Sequence, residues 1–149
     1  MQKKLVEIYA PYVKKSNITF EYEVPIIDEF KQRITKIMSK FPYILACIGD
    51  EIVGYTYASI LGRQAYNWCV ETSIYINEKY QVENREILYT KLEAILKLQN
   101  ITNLVASITY PNPQSIAFHE KFNYKKIAHF TKCGYKQNCW YDMVFMEKM

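Results

Sequence analysis

A strand pattern, a helix pattern and a second strand pattern follow one another in the second half of the chain. Residues 68–76 are rich in β-branched and aromatic residues, residues 85–99 carry a helical apolar face, and residues 104–109 form a short apolar run. Two strands joined through a helix lie parallel in one sheet, because the crossover returns the chain to the same end. The sequence therefore predicts a βαβ unit at the centre of an α/β fold.

Two helices and a hairpin are predicted before this unit. Apolar residues recur at helical spacing in the first segment, and residues 18–22 after it are predicted to be extended. The next helix follows Pro25 and ends before Pro42, since proline cannot continue a helix. Its predicted apolar face consists of Phe30, Ile34, Ile37, Met38 and Phe41. Apolar runs at 43–48 and 51–59 flank a Gly-Asp turn pair, which predicts a hairpin.

A helix and two strands follow the βαβ unit. Asn112 is a favourable N-cap residue and Pro113 fits the first helical position, so a helix is predicted from there to about residue 122. The last strands are expected at about 124–132 and 139–147. The 149 residues fit one domain. The fold class is therefore predicted as a three-layer α/β/α arrangement with a mixed sheet.

Charge and hydropathy argue against two classes of partner. The net charge is +4, but 16 of the 19 basic residues are lysines scattered along the chain, whereas nucleic-acid readers cluster arginine on one face. No apolar run approaches the length of a membrane span, and the N-terminus lacks the apolar core of a signal peptide. We expect a cytoplasmic protein without nucleic-acid or membrane partners.

The four cysteines indicate free thiols rather than a metal centre. None forms a Cys-x-x-Cys pair, so no metal site is expected. Cys47 and Cys69 lie within apolar runs and are predicted to be small buried residues.

Several local strings, in a fixed order, resemble one enzyme family. They are Ile8-Tyr9-Ala10-Pro11-Tyr12-Val13, Thr19-Phe20-Glu21-Tyr22-Glu23-Val24-Pro25, Ile52-Val53-Gly54-Tyr55, Tyr66-Asn67-Trp68-Cys69-Val70-Glu71, Ser73-Ile74-Tyr75-Ile76, Asn112-Pro113-Gln114-Ser115-Ile116-Ala117-Phe118-His119-Glu120-Lys121-Phe122, Gly134-Tyr135-Lys136 and Trp140-Tyr141-Asp142-Met143-Val144-Phe145-Met146. Together they resemble the phosphinothricin acetyltransferase branch of the GNAT acyl-CoA N-acyltransferase superfamily, over about residues 5–147. The resemblance implies a sheet splayed into a V, with acetyl-CoA entering between strands 68–76 and 104–109. It also implies acetyl transfer to a small-molecule amine of the amino-acid or phosphinothricin type.

The resemblance points to two catalytic residues. Glu71 lies where the family carries a carboxylate in the acceptor cleft, so it is expected to remove a proton from the amine. The alternative is a strand-edge charge paired with a lysine. His119 occupies the position at which other GNAT enzymes commonly carry a tyrosine that protonates the leaving thiolate. The alternative is a histidine packed beside the apolar face of its helix.

The resemblance also assigns binding residues. For acetyl-CoA, the expected partners are the backbone of Ile74, Tyr75 and Ile76, the start of the helix at Asn112 and Ser115, and the diphosphate loop with Gln81, Asn84 and Arg85. For the acceptor, the expected residues are Arg63, Tyr66 and Trp68 before the central strand, and Tyr135 and Lys136 from the last hairpin. Trp140 is either a further pocket residue or, with Tyr141, part of the core or of a dimer contact.

Two features depart from the family pattern. The diphosphate loop ordinarily has glycines, which let backbone approach phosphate closely, and here those positions hold Asn84 and Glu86 in a loop one residue short. Carboxylates near a diphosphate repel it, so weakened acetyl-CoA binding is expected. A strand ordinarily precedes the first helix, and this chain starts almost at the helix. The exposed sheet edge that this implies favours a homodimer, and a non-catalytic GNAT fold acting as a binding or assembly module stays open as the alternative to an enzyme.

Overall fold

The computed structural model of the chain describes residues 1–80 and 83–149. The described part contains the predicted order of helices and strands. The elements are α1 (Gln2–Lys15), α2 (Ile27–Met38), β1 (Tyr43–Ile48), β2 (Glu51–Ile60), β3 (Cys69–Ile76), α3 (Glu83–Leu98), β4 (Asn103–Tyr110), α4 (Pro113–Lys121), β5 (Lys125–Lys136) and β6 (Cys139–Lys148). Short 3₁₀ turns at Gln64–Tyr66 and Glu78–Tyr80 flank β3.

The six strands form one mixed sheet in the order β1-β2-β3-β4-β6-β5. β3 and β4 are parallel, as the βαβ pattern predicts, and the other neighbours are antiparallel. The parallel pairing extends only from Cys69 opposite Asn103 to Glu71 opposite Val105. Beyond Glu71 the two strands continue without pairing, so the sheet opens into the predicted V.

Helices cover both faces of this sheet. On one face, the buried residues of α1 and α2 enclose Tyr55 of β2 in a first core cluster. On the other face, Tyr89, Leu92 and Leu96 of α3 pack with buried residues of β3, β4 and β6 in a second cluster. The three-layer prediction is therefore confirmed. None of the helices in the described segments has the length and hydrophobicity needed to cross a membrane.

Three local predictions were wrong. Met38, expected on the buried face of α2, is 58% exposed because it is the last residue of the helix. Cys47 is exposed, because β1 is an edge strand whose register shifts between Ala46 and Cys47. The residues between α1 and α2, called here the α1–α2 loop (residues 16–26), contain no strand in place of the extended segment expected at 18–22.

The α1–α2 loop is irregular because side chains rather than a neighbouring strand satisfy its polar groups. Thr109 donates to the Asn17 carbonyl oxygen at 2.7 Å, and the Lys136 ammonium donates to the Thr19 carbonyl oxygen at 2.7 Å. These bonds fasten the loop across β4 and the β5–β6 hairpin, where it forms one wall of the opening in the sheet.

Candidate active site

A cavity of about 230 Å³ lies where β3 and β4 separate. Its lining combines polar side chains from both strands and from the two helices that follow them. Those from the helices and the residue before α4 are Arg85, Tyr89, Asn112, Ser115 and His119. We call this cavity the cleft. Its polar lining differs from the apolar clusters on either side and marks it as the candidate active site.

The Glu71 carboxylate lies at the vertex of the cleft. Glu71 is the last β3 residue paired with β4, and it lies opposite Ser59 on β2. Side chains of directly opposed residues point to the same face of a sheet. Glu71 therefore points, with Ser59, to the face that carries α1 and α2. Burial and, to a smaller extent, the negative charge of Glu71 raise the pKa of Tyr57.

The backbone of β3 presents alternate residues to the cleft. The Asn77 N–H donates to the Val53 carbonyl oxygen and the Leu61 N–H to that of Cys69, so odd-numbered residues of β3 bond to β2. The even-numbered Ile74 and Ile76 consequently aim their peptide groups at the opening. Tyr75 does not: its backbone turns to Tyr55 on β2, and only its side chain reaches the cleft.

Tyr12 of α1 hydrogen-bonds to both backbone polar groups of Ile76. Its hydroxyl donates to the Ile76 carbonyl oxygen at 2.5 Å and accepts from the Ile76 N–H at 3.2 Å. Burial raises the pKa of Tyr12. The hydroxyl therefore stays protonated and lies where the resemblance expects a cofactor amide.

His119 lies deep in the cleft with both ring nitrogens occupied. Nδ1 is 2.7 Å from the Ser115 carbonyl oxygen, and Nε2 is 3.0 Å from the Tyr89 hydroxyl. The side chain is 5% exposed. Burial lowers the pKa of His119 from 6.5 to about 4, which makes the imidazole neutral at physiological pH.

A hydroxyl chain continues from His119 toward β4. The Tyr89 hydroxyl lies 2.5 Å from Oγ1 of Thr72, which in turn lies 3.3 Å from the Val105 carbonyl oxygen. Burial raises the pKa of Tyr89 to about 12. The chain Thr72–Tyr89–His119 thus connects neutral proton donors and acceptors through the base of the cleft.

The start of α4 is capped as predicted. The Asn112 Oδ1 accepts from the Ser115 N–H at 3.1 Å, and Pro113 occupies the first turn. The cap orients Ser115, whose carbonyl oxygen then receives the His119 ring. Asn112 and Ser115 therefore determine the position of His119 as well as lining the cleft.

The predicted diphosphate loop is described only in part. Gln81 lies outside the described residues, as does the side chain of Asn84. Arg85 lines the cleft with its guanidinium 5.1 Å from the centre of the Phe118 ring. The Glu86 carboxylate is paired with the Lys121 ammonium at 2.5 Å, which offsets part of its repulsion toward an anion.

The residues predicted to bind the acceptor are not among those that line the cleft. Arg63 is exposed, and Tyr66 and Trp68 are 55% and 54% exposed on the segment before β3. Tyr135 is also exposed, with its ring 5.0 Å from that of Trp140. Lys136 is buried against the Thr19 carbonyl oxygen, so it holds the α1–α2 loop over the cleft.

Sequence reasoning missed Tyr12, Thr72 and Tyr89. All three lie in apolar segments, where a tyrosine or threonine is expected to pack rather than to present its hydroxyl. The only signal in the sequence was the hydroxyl of each of these residues, because a buried hydroxyl needs a hydrogen-bond partner.

Comparison with known proteins agrees with this geometry. Residues 2–145 match the family described as an acetyltransferase (GNAT) domain. Phosphinothricin N-acetyltransferase of Streptomyces viridochromogenes is 27% identical over 144 residues, which cover 95% of this chain and 79% of that protein.

Two solved structures at similar identity have the same fold. A phosphinothricin acetyltransferase from Sinorhizobium meliloti, solved in complex with acetyl-CoA, superposes with a TM-score of 0.94 at 27% identity, covering 99% of this chain and 84% of that one. An N-acetyltransferase from Staphylococcus aureus Mu50 superposes with a TM-score of 0.93 at 26% identity, covering 99% and 93%. The sheet that opens beyond Glu71, the polar cleft and the match over nearly the whole chain lead to one conclusion: this chain belongs to the GNAT acetyltransferase family.

Proposed function

We propose that this protein is an N-acetyltransferase that moves the acetyl group of acetyl-CoA to the amine of a small molecule. The observation that carries the proposal is that the Glu71 carboxylate and the Tyr89–His119 pair line the same cleft, at the point where two parallel strands separate. Acyl transfer to an amine requires a proton acceptor for the amine and a proton donor for the leaving sulfur. The cleft contains both.

Glu71 is the proposed base. When bound, acetyl-CoA supplies an activated acetyl group as a thioester. An amine attacks only through its free electron pair, so a proton must first leave it, and the Glu71 carboxylate at the vertex can take that proton. Glu71 lies opposite Ser59 of β2 and lines the cleft, which suits this role.

Tyr89 is the proposed proton donor, with His119 as its positioning residue. The neutral His119 ring bonds to the Tyr89 hydroxyl through Nε2 and to the Ser115 carbonyl through Nδ1. An Nε2 atom that accepts a hydrogen bond has no proton to give. The tyrosine hydroxyl, which carries its own proton, is therefore the better donor in this arrangement.

Three features of the cleft support acetyl-CoA binding through its pantetheine end. The Ile74 peptide group aims at the opening, Arg85 supplies a positive charge, and the α4 start lies beside them. The related Sinorhizobium meliloti enzyme was solved with acetyl-CoA, which supports acetyl-CoA as the co-substrate here. Gln81 and Asn84 remain proposed partners of the nucleotide end.

The acceptor is proposed to be an amine of the amino-acid type. The curated relative from Streptomyces viridochromogenes is named for phosphinothricin, an amino-acid analogue, and this supports that class. Arg63, Tyr66, Trp68, Tyr135 and Lys136 remain candidate determinants at the outer rim. They act either directly or by holding the α1–α2 loop.

Glu71→Gln is the test of the proposed chemistry. The amide keeps the size of the side chain but cannot take a proton at neutral pH. We expect the rate of thiol release from acetyl-CoA, with an amine acceptor, to fall most at low pH, where the amine is hardest to deprotonate. Glu120→Gln on the exposed side of α4 is the matched control. A Glu71→Gln rate equal to that of the parent at every pH would reject Glu71 as the base.

One observation favours a non-catalytic module as the second candidate. The Tyr12 hydroxyl already occupies both Ile76 backbone groups, which a pantetheine arm needs. Calorimetric titration with acetyl-CoA separates the two candidates, because a module without a cofactor site gives no saturable heat.

We further propose that the protein is a cytoplasmic homodimer. Ile127, Phe130 and Trp140 of the β5–β6 hairpin are each more than half exposed, and β5 is an edge strand. Exposed apolar groups on an open edge favour association with a second copy. Light scattering that gives the mass of one chain at tens of micromolar would contradict the dimer.

A further inference from the structure

Tyr124 contributes a buried hydroxyl that has no hydrogen-bond partner among the described residues. The residue lies between α4 and β5, and its side chain is 3% exposed. Buried hydroxyls in native proteins almost always have a partner, and an exception calls for an explanation. The groups around this hydroxyl supply one.

The Tyr124 ring lies against the Tyr89–His119 pair. The Tyr124 backbone N–H donates to the His119 carbonyl oxygen at 3.0 Å, and the centres of the two rings are 5.2 Å apart. The centre of the Tyr124 ring is 6.0 Å from that of the Tyr89 ring. The end of α4 therefore holds Tyr124 beside both members of the pair.

Thr72, Tyr89 and Tyr124 form a group of neighbouring side chains that we call the hydroxyl cluster. Burial raises the pKa of Tyr89 to about 12, whereas the hydroxyls of Thr72 and Tyr124 lower it. A neighbouring hydroxyl lowers the pKa of a phenol when it can donate to the ionised oxygen. Burial raises the pKa of Tyr124 itself, so that hydroxyl keeps its proton and is available as a donor.

Tyr89 needs a further donor once it has lost its proton. In the proposed mechanism the Tyr89 oxygen becomes a buried phenolate. Nε2 of His119, at 3.0 Å, has no proton to give, so that contact no longer supplies a hydrogen bond. Thr72 remains as a donor at 2.5 Å. A buried anion that is short of donors is costly, because it has lost its contacts with water.

The charges near the hydroxyl cluster are compatible with an ionised Tyr89. Glu93 lies one helical turn after Tyr89 on α3, and its carboxylate is paired with the Lys148 ammonium at 2.5 Å. Arg85 lies one turn before Tyr89 and lines the cleft. The cluster therefore has a cation on the side of the cleft and a paired carboxylate outside it.

We propose that Tyr124 is a positioning residue that stabilises the ionised form of Tyr89. Tyr89 gives its proton to the sulfur that has kept the electron pair of the broken C–S bond, and the pair of the broken O–H bond stays on the Tyr89 oxygen. The Tyr124 hydroxyl then donates a hydrogen bond to that oxygen and keeps its own proton. Tyr89 recovers a proton from water after the products leave. The origin of the charge rests on the proposed function, and the donor rests on the hydroxyl cluster.

Tyr124→Phe removes only the unpartnered hydroxyl. With acetyl-CoA and phosphinothricin as substrates, we expect kcat to fall about 10- to 100-fold, the value of a hydrogen bond to a charged group, and the KM for acetyl-CoA to change less than about twofold. Urea unfolding should show no loss of stability, because the lost hydroxyl had no partner. Tyr55→Phe is the matched control, since Tyr55 also has a buried unpartnered hydroxyl but does not line the cleft, and its kcat should equal that of the parent.

The double variant shows whether Tyr124 acts through Tyr89. In the Tyr89→Phe background no phenolate forms, so Tyr124→Phe should lower kcat less than about twofold there. An equal fall of kcat in both backgrounds, or a fall accompanied by an equivalent loss of stability, would mean that Tyr124 is only structural and would overturn the inference.

Titration of position 89 gives a readout that does not need acetyl transfer. Difluorotyrosine at this position ionises at lower pH than tyrosine, and fluorine NMR follows its ionisation. We expect Tyr124→Phe to raise its pKa by about one to two pH units, and Tyr55→Phe to leave it unchanged. An unchanged pKa in Tyr124→Phe would overturn the inference whatever the activity of the parent. A raised pKa in a parent without acetyl transfer would reject the proposed function and support Tyr124 as the donor to an ionised Tyr89.

Discussion

The Tyr89 hydroxyl lies 3.0 Å from Nε2 of His119, and that relationship determines which group carries the proton. The Ser115 carbonyl oxygen, 2.7 Å from Nδ1, can only accept, so Nδ1 is the protonated nitrogen of the neutral ring. Nε2 then has a free electron pair and Tyr89 donates to it. In the proposed mechanism, the histidine that the family resemblance marks as the acid therefore acts by positioning Tyr89.

Tyr89→Phe tests this assignment. The variant keeps the edge contacts of the ring with Phe118 at 5.3 Å and Phe122 at 5.4 Å, and removes only the hydroxyl. We expect the acetylation rate to fall about 10²–10⁴-fold, the usual contribution of a positioned acid. The measurement is steady-state release of free thiol from acetyl-CoA.

His119→Gln extends the same test. If His119 only positions Tyr89, this variant should retain more activity than Tyr89→Phe. If the histidine is itself the acid, the order of the two rates reverses. Rates within about a factor of two of the parent for both variants would remove the pair from the mechanism.

Acid sensitivity of the fold is expected to depend on His119. The unfolded chain binds a proton at this residue below about pH 6.5, whereas the folded chain binds it only below about pH 4. Between these values the unfolded state holds more protons, so the free energy of unfolding falls as the pH falls, by about 1.4 kcal/mol per pH unit and about 3 kcal/mol in all. Below about pH 4 this contribution levels off.

Urea unfolding of the parent and of His119→Gln at pH 7 and pH 4.5 measures this effect. The variant should be less stable at pH 7, because it loses two buried bonds, but should lose less stability on acidification. His129→Gln is the comparison variant: it removes the bond of His129 to Asp142 at 2.8 Å outside the cleft, and the acid-dependent loss due to His119 should persist in it. Equal acid losses in the parent and in His119→Gln would contradict the prediction.

The regular elements could be predicted because their signals are local. The apolar run at 43–48 became β1 within the same bounds, and Asn112 caps α4 through the Ser115 N–H. The cleft could be predicted only in part, because its contacts join residues far apart in sequence. Tyr12 and Ile76 are 64 residues apart, and helical periodicity identifies Tyr12 as a core residue without indicating its hydrogen-bond partner.

Tyr12→Phe is expected to open the strand backbone to the cofactor. The change frees the Ile76 N–H and carbonyl groups while retaining the ring contact with Tyr75 at 5.2 Å. The free energy of unfolding should fall by about 1 kcal/mol, and acetyl-CoA should bind several-fold more tightly. Tyr22→Phe is the matched control, because it also loses a bond to a backbone carbonyl, that of Tyr135, outside the cleft. Weaker acetyl-CoA binding in Tyr12→Phe would mean that the hydroxyl assists the cofactor instead of competing with it.

Gly134→Ala is expected to displace the α1–α2 loop. A Cβ at this position would lie 2.2 Å from Cε1 and 2.4 Å from Cζ of the Phe20 ring, and Phe20 lines the cleft. Overpacking of this kind costs about 1–3 kcal/mol, and the displaced ring should also lower activity. Phe20→Leu combined with Gly134→Ala should cost less than the sum of the two single changes in thermal unfolding. Strict additivity would show that the two residues do not press on each other.

The segment 81–86, predicted as a loop but helical from Glu83 onward as the start of α3, is expected to limit the affinity for acetyl-CoA. The charge of CoA lies in its phosphates, whereas the pantetheine arm binds mainly through strand backbone. Loss of a glycine-built anion site should therefore weaken acetyl-CoA much more than acetyl-pantetheine. One inserted residue together with Asn84→Gly and Glu86→Gly should strengthen acetyl-CoA binding by about 1–3 kcal/mol, the value of one or two charge-assisted hydrogen bonds, and leave acetyl-pantetheine binding unchanged.

The same insertion with alanine at both positions is the control, because it removes the Glu86 charge and its pairing with Lys121 without supplying glycine. Calorimetry measures each affinity. Micromolar acetyl-CoA binding by the unchanged chain would show that Arg85 and its neighbours already form an anion site by another geometry.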